Sequence, residues 1–218
     1  MTDDIDSPGK WHADMGARSD SNGRVRIAVT GGPGAGKTTA IDLFRRELGE
    51  SVVVVPESGT ILFGGGFPRS PLPGPRRAAQ LAIYHTQRHL EAAQAEIFPS
   101  RALICDRGTL DGAAYWPHGV ESFFAAAGTT FEAELARYDA VIFFETAAAG
   151  GIGIEGGNPI RNETLAEAVE LDRRLRAVWS QHPDFTLVVH EPSFFHKITK
   201  GFHAIASRLD AWNHRKPA

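Results

Sequence analysis

A glycine-rich segment placed between an apolar run and a helical pattern constrains this chain most strongly. Residues 31–38 read Gly-Gly-Pro-Gly-Ala-Gly-Lys-Thr and match the pattern G-x-x-x-x-G-K-[ST]. Residues 25–29 before them are apolar, and residues 39–48 after them carry an amphipathic helical stripe. Glycines let successive backbone N–H groups turn inward around an anion, and the helix N-terminus adds partial positive charge. The segment therefore predicts a loop that binds the phosphates of a nucleotide.

The lysine and threonines at the end of this loop have specific expected roles. Lys37 would reach the β- and γ-phosphates, and the Thr38 hydroxyl would ligate Mg²⁺. We expect ATP and Mg²⁺ as cofactors. The expected nucleotide-binding residues are Gly31, Gly32, Pro33, Gly34, Ala35, Gly36, Lys37, Thr38 and Thr39. The alternative, an ordinary glycine-rich turn, fits the flanking strand and helix patterns poorly.

Short apolar runs alternate with longer helical patterns along the rest of the chain, which is typical of an α/β fold. Most of the apolar runs are continuous, as parallel strands covered on both faces require. Strands are predicted at residues 25–29, 52–55, 102–105, 140–144 and 186–189, and helices at residues 39–48, 76–98, 164–179 and 202–212. The loops at residues 59–75 and 146–159 are long and rich in Gly, Pro or Ala, and are either substrate lids or surface excursions.

Composition limits the classes of partner. Residues 1–22 contain five Asp against one Lys and one Arg, which accounts for the whole net charge of −3. We expect these residues to be a disordered acidic tail and residues 23–218 to be the nucleotide-binding domain. No block of five or six like charges suggests nucleic acid as a partner, and no long apolar segment suggests a membrane. The single cysteine, Cys105, excludes an internal disulfide and is predicted to be an inert core thiol, so we expect a cytoplasmic protein.

A carboxylate and a cation follow the third predicted strand. Asp106 lies where a Walker B residue would hold Mg²⁺ or its water, although a surface ion pair is the plain alternative. The next residue is Arg107, where ATPases commonly have a Glu that activates water. A guanidinium suits a phosphate or a substrate anion. The pair therefore favours transfer of phosphate to a bound acceptor over hydrolysis.

Several phrases in order resemble one group of P-loop proteins. They are the phosphate loop, Val-Pro-Glu-Ser at residues 55–58, Gln-Arg-His-Leu-Glu at residues 87–91, Cys-Asp-Arg-Gly-Thr-Leu-Asp-Gly at residues 105–112 and Asn-Pro-Ile-Arg-Asn-Glu at residues 158–163. Together they resemble the AAA domains related to the ribosylnicotinamide kinase domain, within the nucleoside and thymidylate kinase group. The resemblance implies a P-loop NTPase three-layer sandwich with a parallel sheet in the order 2-3-1-4-5. Gly108 departs from the residue pattern of these kinases, because thymidylate and deoxynucleoside kinases have Tyr or Ser at this position.

This resemblance gives further residues an expected role. Glu57 becomes a candidate general base or acceptor for a substrate hydroxyl, its alternative being a surface Glu. Arg161 lies where such kinases carry a lid, and could neutralise charge on the transferring phosphoryl group. Gln87 and Glu91, four residues apart on the long helix, either read a polar edge of the substrate or are simply exposed. The histidines at residues 85 and 89 lack a third ligand, which disfavours zinc.

Three functions are compatible with these residues. The first is an ATP-dependent phosphotransferase acting on a small nucleoside-like or other hydroxyl-bearing metabolite, with that acceptor as the expected partner. The second is a nucleotide-dependent binding module or ATPase without a small-molecule acceptor. The third, a GTPase switch, is disfavoured because the chain contains no Asn-Lys-x-Asp tetrapeptide.

Overall fold

The computed structural model describes residues 24–150 and 164–214. The predicted acidic tail at residues 1–22, and Arg161, lie outside the described residues. The strands are β1 (Arg26–Thr30), β2 (Val52–Val55), β3 (Ala102–Asp106), β4 (Ala140–Phe144) and β5 (Phe185–Val188). The helices are α1 (Lys37–Leu48), α2 (Ser58–Gly64), α3 (Pro73–Ile97), α4 (Asp111–Tyr115), α5 (Val120–Ala127), α6 (Phe131–Leu135), α7 (Leu165–Trp179) and α8 (Phe194–Asn213), with short 3₁₀ turns at Gly49–Ser51 and Ala147–Gly150.

The five strands form one parallel sheet in the order β2-β3-β1-β4-β5, which confirms the predicted fold class. Strand β1 is central, with Val29 paired to Asp106 of β3 and Thr30 paired to Phe143 of β4. Every residue of β1, β3 and β4 is buried. The continuous apolar runs in the sequence are therefore explained by helices that cover both faces of the sheet.

Each face of the sheet has its own apolar core, so the molecule has three layers. On one face, Phe143 packs with aromatic residues of α3, α5 and α7 such as Tyr84, Phe123 and Trp179. On the other face, Phe144 packs with Phe44 of α1 and with α8. In a parallel sheet all the carboxyl ends lie at one edge, so the segments after β1, β2, β3 and β4 meet there.

Most predicted elements agree with the structure to within a few residues, and the disagreements have local causes. Thr164 is the N-cap of α7, where it forms a capping box with Glu167, and Gly49 caps α1. The loop predicted over residues 59–75 is wrong in its first part, which forms α2. Helix α8 begins at Phe194, eight residues earlier than predicted. The three short helices between β3 and β4 had no predicted counterpart, because five to eight residues are too few for a clear helical period.

No helix within the described ranges combines the length and the apolar character needed to cross a membrane.

Candidate active site

The glycine-rich loop joins β1 to α1 and packs tightly against the end of β4. Gly31 has φ 137°, and a Cβ there would lie 1.9 Å from the carbonyl oxygen of Phe144. Gly36 has φ 84° and is the N-cap of α1. Both positions need glycine, because an L side chain would collide or be strained. The loop thus has the geometry predicted for a phosphate cradle at the start of a helix.

Lys37 and the two threonines after it differ in their surroundings. Lys37 is buried, and its Nζ donates hydrogen bonds to the carbonyl oxygens of Gly31 and Gly32 at 2.8 and 2.9 Å. Its ammonium group therefore lies over the loop itself. Thr38 and Thr39 are exposed at the first turn of α1. The cation is thus buried against the loop carbonyls, whereas Thr38 and Thr39 are exposed to solvent.

Asp106 ends β3 beside the loop. Its side chain is 6% exposed, and Oδ1 is buried and accepts no hydrogen bond from the described residues. Burial and the neighbouring Glu57 carboxylate raise the pKa of Asp106 from 3.8 to about 6, although Lys37 and Arg107 act in the opposite direction. The surface ion pair considered for Asp106 is therefore wrong. A buried carboxylate oxygen without a donor is available for an external ligand.

Glu57 and Arg107 form an ion pair that spans the ends of β2 and β3. The Arg107 Nε donates to Glu57 Oε1 at 2.5 Å, and the Thr60 hydroxyl donates to Glu57 Oε2 at 2.7 Å. Burial alone would raise the pKa of Glu57, but Arg107, the Thr60 hydroxyl and Lys37 together lower it to about 2. The Glu57 side chain is 16% exposed, which excludes the surface alternative. Glu57 is thus held as an anion.

Asp111 is a functional candidate that the sequence analysis missed. Its carboxylate accepts hydrogen bonds from Arg107 Nη1 at 2.8 Å, from the Thr30 hydroxyl at 2.9 Å and from the Trp179 indole at 2.8 Å. It therefore holds Arg107 through Nη1, whereas Glu57 holds the Nε of the same guanidinium. The available sequence signal was that Asp111 stands with Arg107 in the phrase at residues 105–112.

Arg107 also has an unusual backbone. It has φ 70°, the only positive φ at a non-glycine residue among residues 24–150 and 164–214. Its carbonyl oxygen accepts a hydrogen bond from Gln87 Nε2, and its N–H donates to Val29 O. Left-handed conformations at non-glycine residues are rare and cluster at functional sites. Hydrogen bonds at both its N–H and its carbonyl group thus fix the backbone from which the Arg107 guanidinium extends.

The positions of Gln87 and Glu91 agree neither with contact to a substrate nor with simple exposure. Both are buried, at 2% and 0% exposure. Gln87 accepts a hydrogen bond from the Ser58 hydroxyl and donates to Glu91, while Glu91 pairs with Arg137 at 2.7 Å. Their polar atoms are engaged beneath the site because partners from other elements converge on them. Simple exposure is therefore wrong, and neither residue presents a polar edge to a ligand.

The structure brings most of the predicted site residues to one edge of the sheet. The loop, Glu57, Asp106 and Arg107 lie there, whereas Arg161 lies outside the described residues. Cys105 is fully buried, and burial raises the pKa of its thiol, in agreement with an inert core cysteine. Within the described ranges, no group of three or more His, Cys, Asp or Glu could hold a metal ion.

Comparison with known proteins places this arrangement in a family. A family model described as an AAA domain matches residues 26–195, which is most of the chain. The chain belongs to the AAA domain family. This AAA domain is similar in structure to a deoxyadenosine kinase from M. mycoides solved with bound dATP, with a TM-score of 0.60 and 17% sequence identity over 86% of this chain and 100% of the kinase. The similarity shows a P-loop kinase-like fold. No curated protein matches the chain.

The residues at the site fit a magnesium ion of the kind that accompanies a bound nucleotide. Mg²⁺ prefers oxygen ligands and usually takes only one or two from the protein, the others coming from phosphates and water. Asp106 has an unpartnered carboxylate oxygen, and Thr38 has an exposed hydroxyl. These two residues would supply the protein ligands.

Proposed function

We propose that this AAA domain is an ATP-dependent phosphotransferase acting on a small hydroxyl-bearing metabolite. The observation that carries the proposal is the ion pair of Glu57 and Arg107 at the strand ends beside the phosphate loop. It supplies a fixed anion and a fixed cation beside the loop, where Arg107 Nη1 lies 3.5 Å from Gly31 O. A pure nucleotide-binding module has no need of this pair. The related kinase solved with dATP makes a purine nucleoside triphosphate the first ligand to test.

Lys37 would act on the nucleotide. In the structure its ammonium group donates to two loop carbonyls, which are weak partners compared with a phosphate. On binding, it would turn to the β- and γ-phosphates and neutralise charge that develops there. Mg²⁺, held by Thr38 and Asp106, would supply further charge neutralisation.

Glu57 and Arg107 would act on the acceptor. With a pKa of about 2, Glu57 is a weak base, so it would serve mainly as the hydrogen-bond acceptor that aims a substrate hydroxyl at the γ-phosphate. This suits a loose transition state, in which the hydroxyl loses its proton late. Arg107, fixed by Glu57 and Asp111, would contact the transferring group without a conformational change.

The test is ADP release in the presence of ATP, Mg²⁺ and fractionated pools of nucleosides, vitamins and sugars. Glu57→Gln keeps the shape of the side chain but removes its charge. It should lower acceptor-dependent ADP release by about 10²-fold or more while leaving ATP affinity within about threefold. Glu96→Gln, at an exposed position on α3, is the matched control and should behave like the parent.

Arg161 provides a second arm of the same experiment. If it approaches the transferring phosphoryl group, Arg161→Ala should reduce turnover by about 10²-fold and ATP affinity by only a few-fold. An outcome in which no pool stimulates ADP release, and Glu57→Gln and Arg161→Ala both hydrolyse ATP like the parent, would reject the phosphotransferase. A nucleotide-dependent binding module would then be the better description.

A further inference from the structure

A buried polar cluster holds the phosphate loop from behind. We call it the loop clamp, and it consists of Asp172 of α7, Thr146 after β4, and Lys197 of α8. These residues are 6%, 0% and 2% exposed. None of them belongs to the loop motif or to the ion pair of the proposed active site.

Asp172 joins the loop to the end of β4 through a single oxygen. Its Oδ1 accepts the backbone N–H of Gly32 at 2.8 Å and the backbone N–H of Thr146 at 2.9 Å. A Cβ at Gly32 would lie 2.5 Å from this oxygen, so the second glycine of the loop is required by the carboxylate. The Gly32 N–H is therefore engaged by the carboxylate of Asp172.

The other two members hold carbonyl groups of the same loop. The Thr146 hydroxyl donates to Pro33 O at 2.5 Å. Lys197 Nζ donates to Ala35 O at 2.9 Å and to Glu145 O at 2.5 Å. Contacts at Gly32, Pro33 and Ala35 thus fix one half of the loop to α7, to α8 and to the segment that follows β4. Hydrogen bonds to charged groups in a buried site are stronger than neutral ones, and they are costly to leave unmade.

Because Asp172 is charged, an electrostatic effect on ATP binding can be told apart from an effect on the shape of the loop. A carboxylate close behind an anion-binding loop repels phosphate, so its electrostatic effect on ATP affinity is unfavourable. Its benefit must come from geometry. We propose that Asp172 is a positioning residue that sets the shape of the phosphate loop before nucleotide binds. This inference rests on the proposed nucleotide-binding function.

The experiment measures ATP affinity by calorimetry in three variants of the full chain. Asp172→Ala removes both the charge and the hydrogen-bond acceptor, and should weaken ATP binding by about tenfold or more because two buried N–H groups lose their partner. Asp172→Asn keeps an oxygen in place without the charge, and should bind ATP as tightly as the parent or more tightly. Leu171→Ala, at the neighbouring core position of α7, should lower thermal stability but leave ATP affinity within about twofold.

The direction in which ATP affinity changes shows whether Asp172 acts through its charge or through the shape of the loop. If both Asp172 variants bind ATP more tightly than the parent, Asp172 acts through its charge and the inference is wrong. If Asp172→Ala binds like the parent, or if Leu171→Ala weakens binding equally, the clamp has no specific role. If Asp172→Ala does not fold, Thr146→Val replaces it: this variant should weaken ATP binding by about threefold or more, with Thr146→Ser restoring it, and parental affinity in Thr146→Val would reject the inference. A parent chain that binds no ATP would instead reject the proposed function.

Discussion

Replacing Asp106 by asparagine should stabilise the folded protein at neutral and alkaline pH while removing the activity that we propose. Asp106 is buried, has an oxygen without a hydrogen-bond donor, and lies close to the Glu57 carboxylate. Such an arrangement is unfavourable for folding. Proteins retain such a local loss of folding stability where a residue serves a ligand or a reaction.

The size of the effect follows from the pKa of Asp106. The folded chain keeps the carboxyl proton up to about pH 6, whereas the ordinary value is 3.8. Because the raised value belongs to an acid, the stability from this group is full below about pH 4 and is lost as the pH rises through about 6. The gap of about 2 pH units corresponds to about 3 kcal/mol at full ionisation. Asparagine carries no charge, so Asp106→Asn should recover about 1–3 kcal/mol at pH 8 and little at pH 4.

Thermal melting with chelator and without nucleotide provides the assay. For a chain of this length, the gain corresponds to an increase in melting temperature of about 3–9 °C at pH 8, which should shrink towards zero near pH 4. Asp42→Asn, at an exposed position of α1, is the matched control and should change the melting temperature little at either pH. A lower melting temperature for Asp106→Asn at pH 8, or an equal gain at both pH values, would refute the reasoning.

Two further substitutions test the packing that supports the site. Glu91→Ala should lower the free energy of unfolding by about 3–5 kcal/mol, measured by urea denaturation, because both Arg137 and Arg26 lose this buried carboxylate; a loss below about 1 kcal/mol would show that this network is dispensable. Gly108→Ala should cost about 1–3 kcal/mol, since the new Cβ would lie 2.6 Å from the Trp179 ring. Gly64→Ala, where a Cβ meets nothing within 4 Å, should show no such loss.

The strands and the loop were predictable because their signals are local. A continuous apolar run indicates a strand covered on both faces, and the glycine pattern at residues 31–38 fixes where the first strand ends and the first helix begins. The order of the strands came from resemblance to a kinase group, since nothing in their spacing specifies it. Gly108 illustrates the remaining gap: the departure from Tyr or Ser was visible in the sequence, but its cause, the Trp179 ring packed on that backbone, comes from a helix about 70 residues away.

The buried polar groups were not predictable for a related reason. Gln87 and Glu91 look like a solvated helix face when only their own helix is considered. Their burial depends on Arg137, on Ser58 and on the Arg107 carbonyl, which are distant in sequence. The same holds for the loop clamp, whose three members come from α7, from α8 and from the segment after β4. Hydrophobic periodicity detects which face of a helix is apolar, but it does not detect which polar residues will find partners.

ATP binding by the parent chain and by Lys37→Ala tests the central claim most directly. Lys37 donates to two loop carbonyls, and its charge also lowers the pKa of the buried Glu57 and Asp106, so Lys37→Ala should lower the melting temperature by a few degrees without unfolding the chain. Calorimetry with ATP and Mg²⁺ should show a saturable site in the parent and an affinity at least about tenfold weaker in Lys37→Ala, because a charge on the phosphates is lost. Equal affinity in a folded Lys37→Ala variant, or no binding by the parent, would contradict the assignment of this loop as the phosphate site.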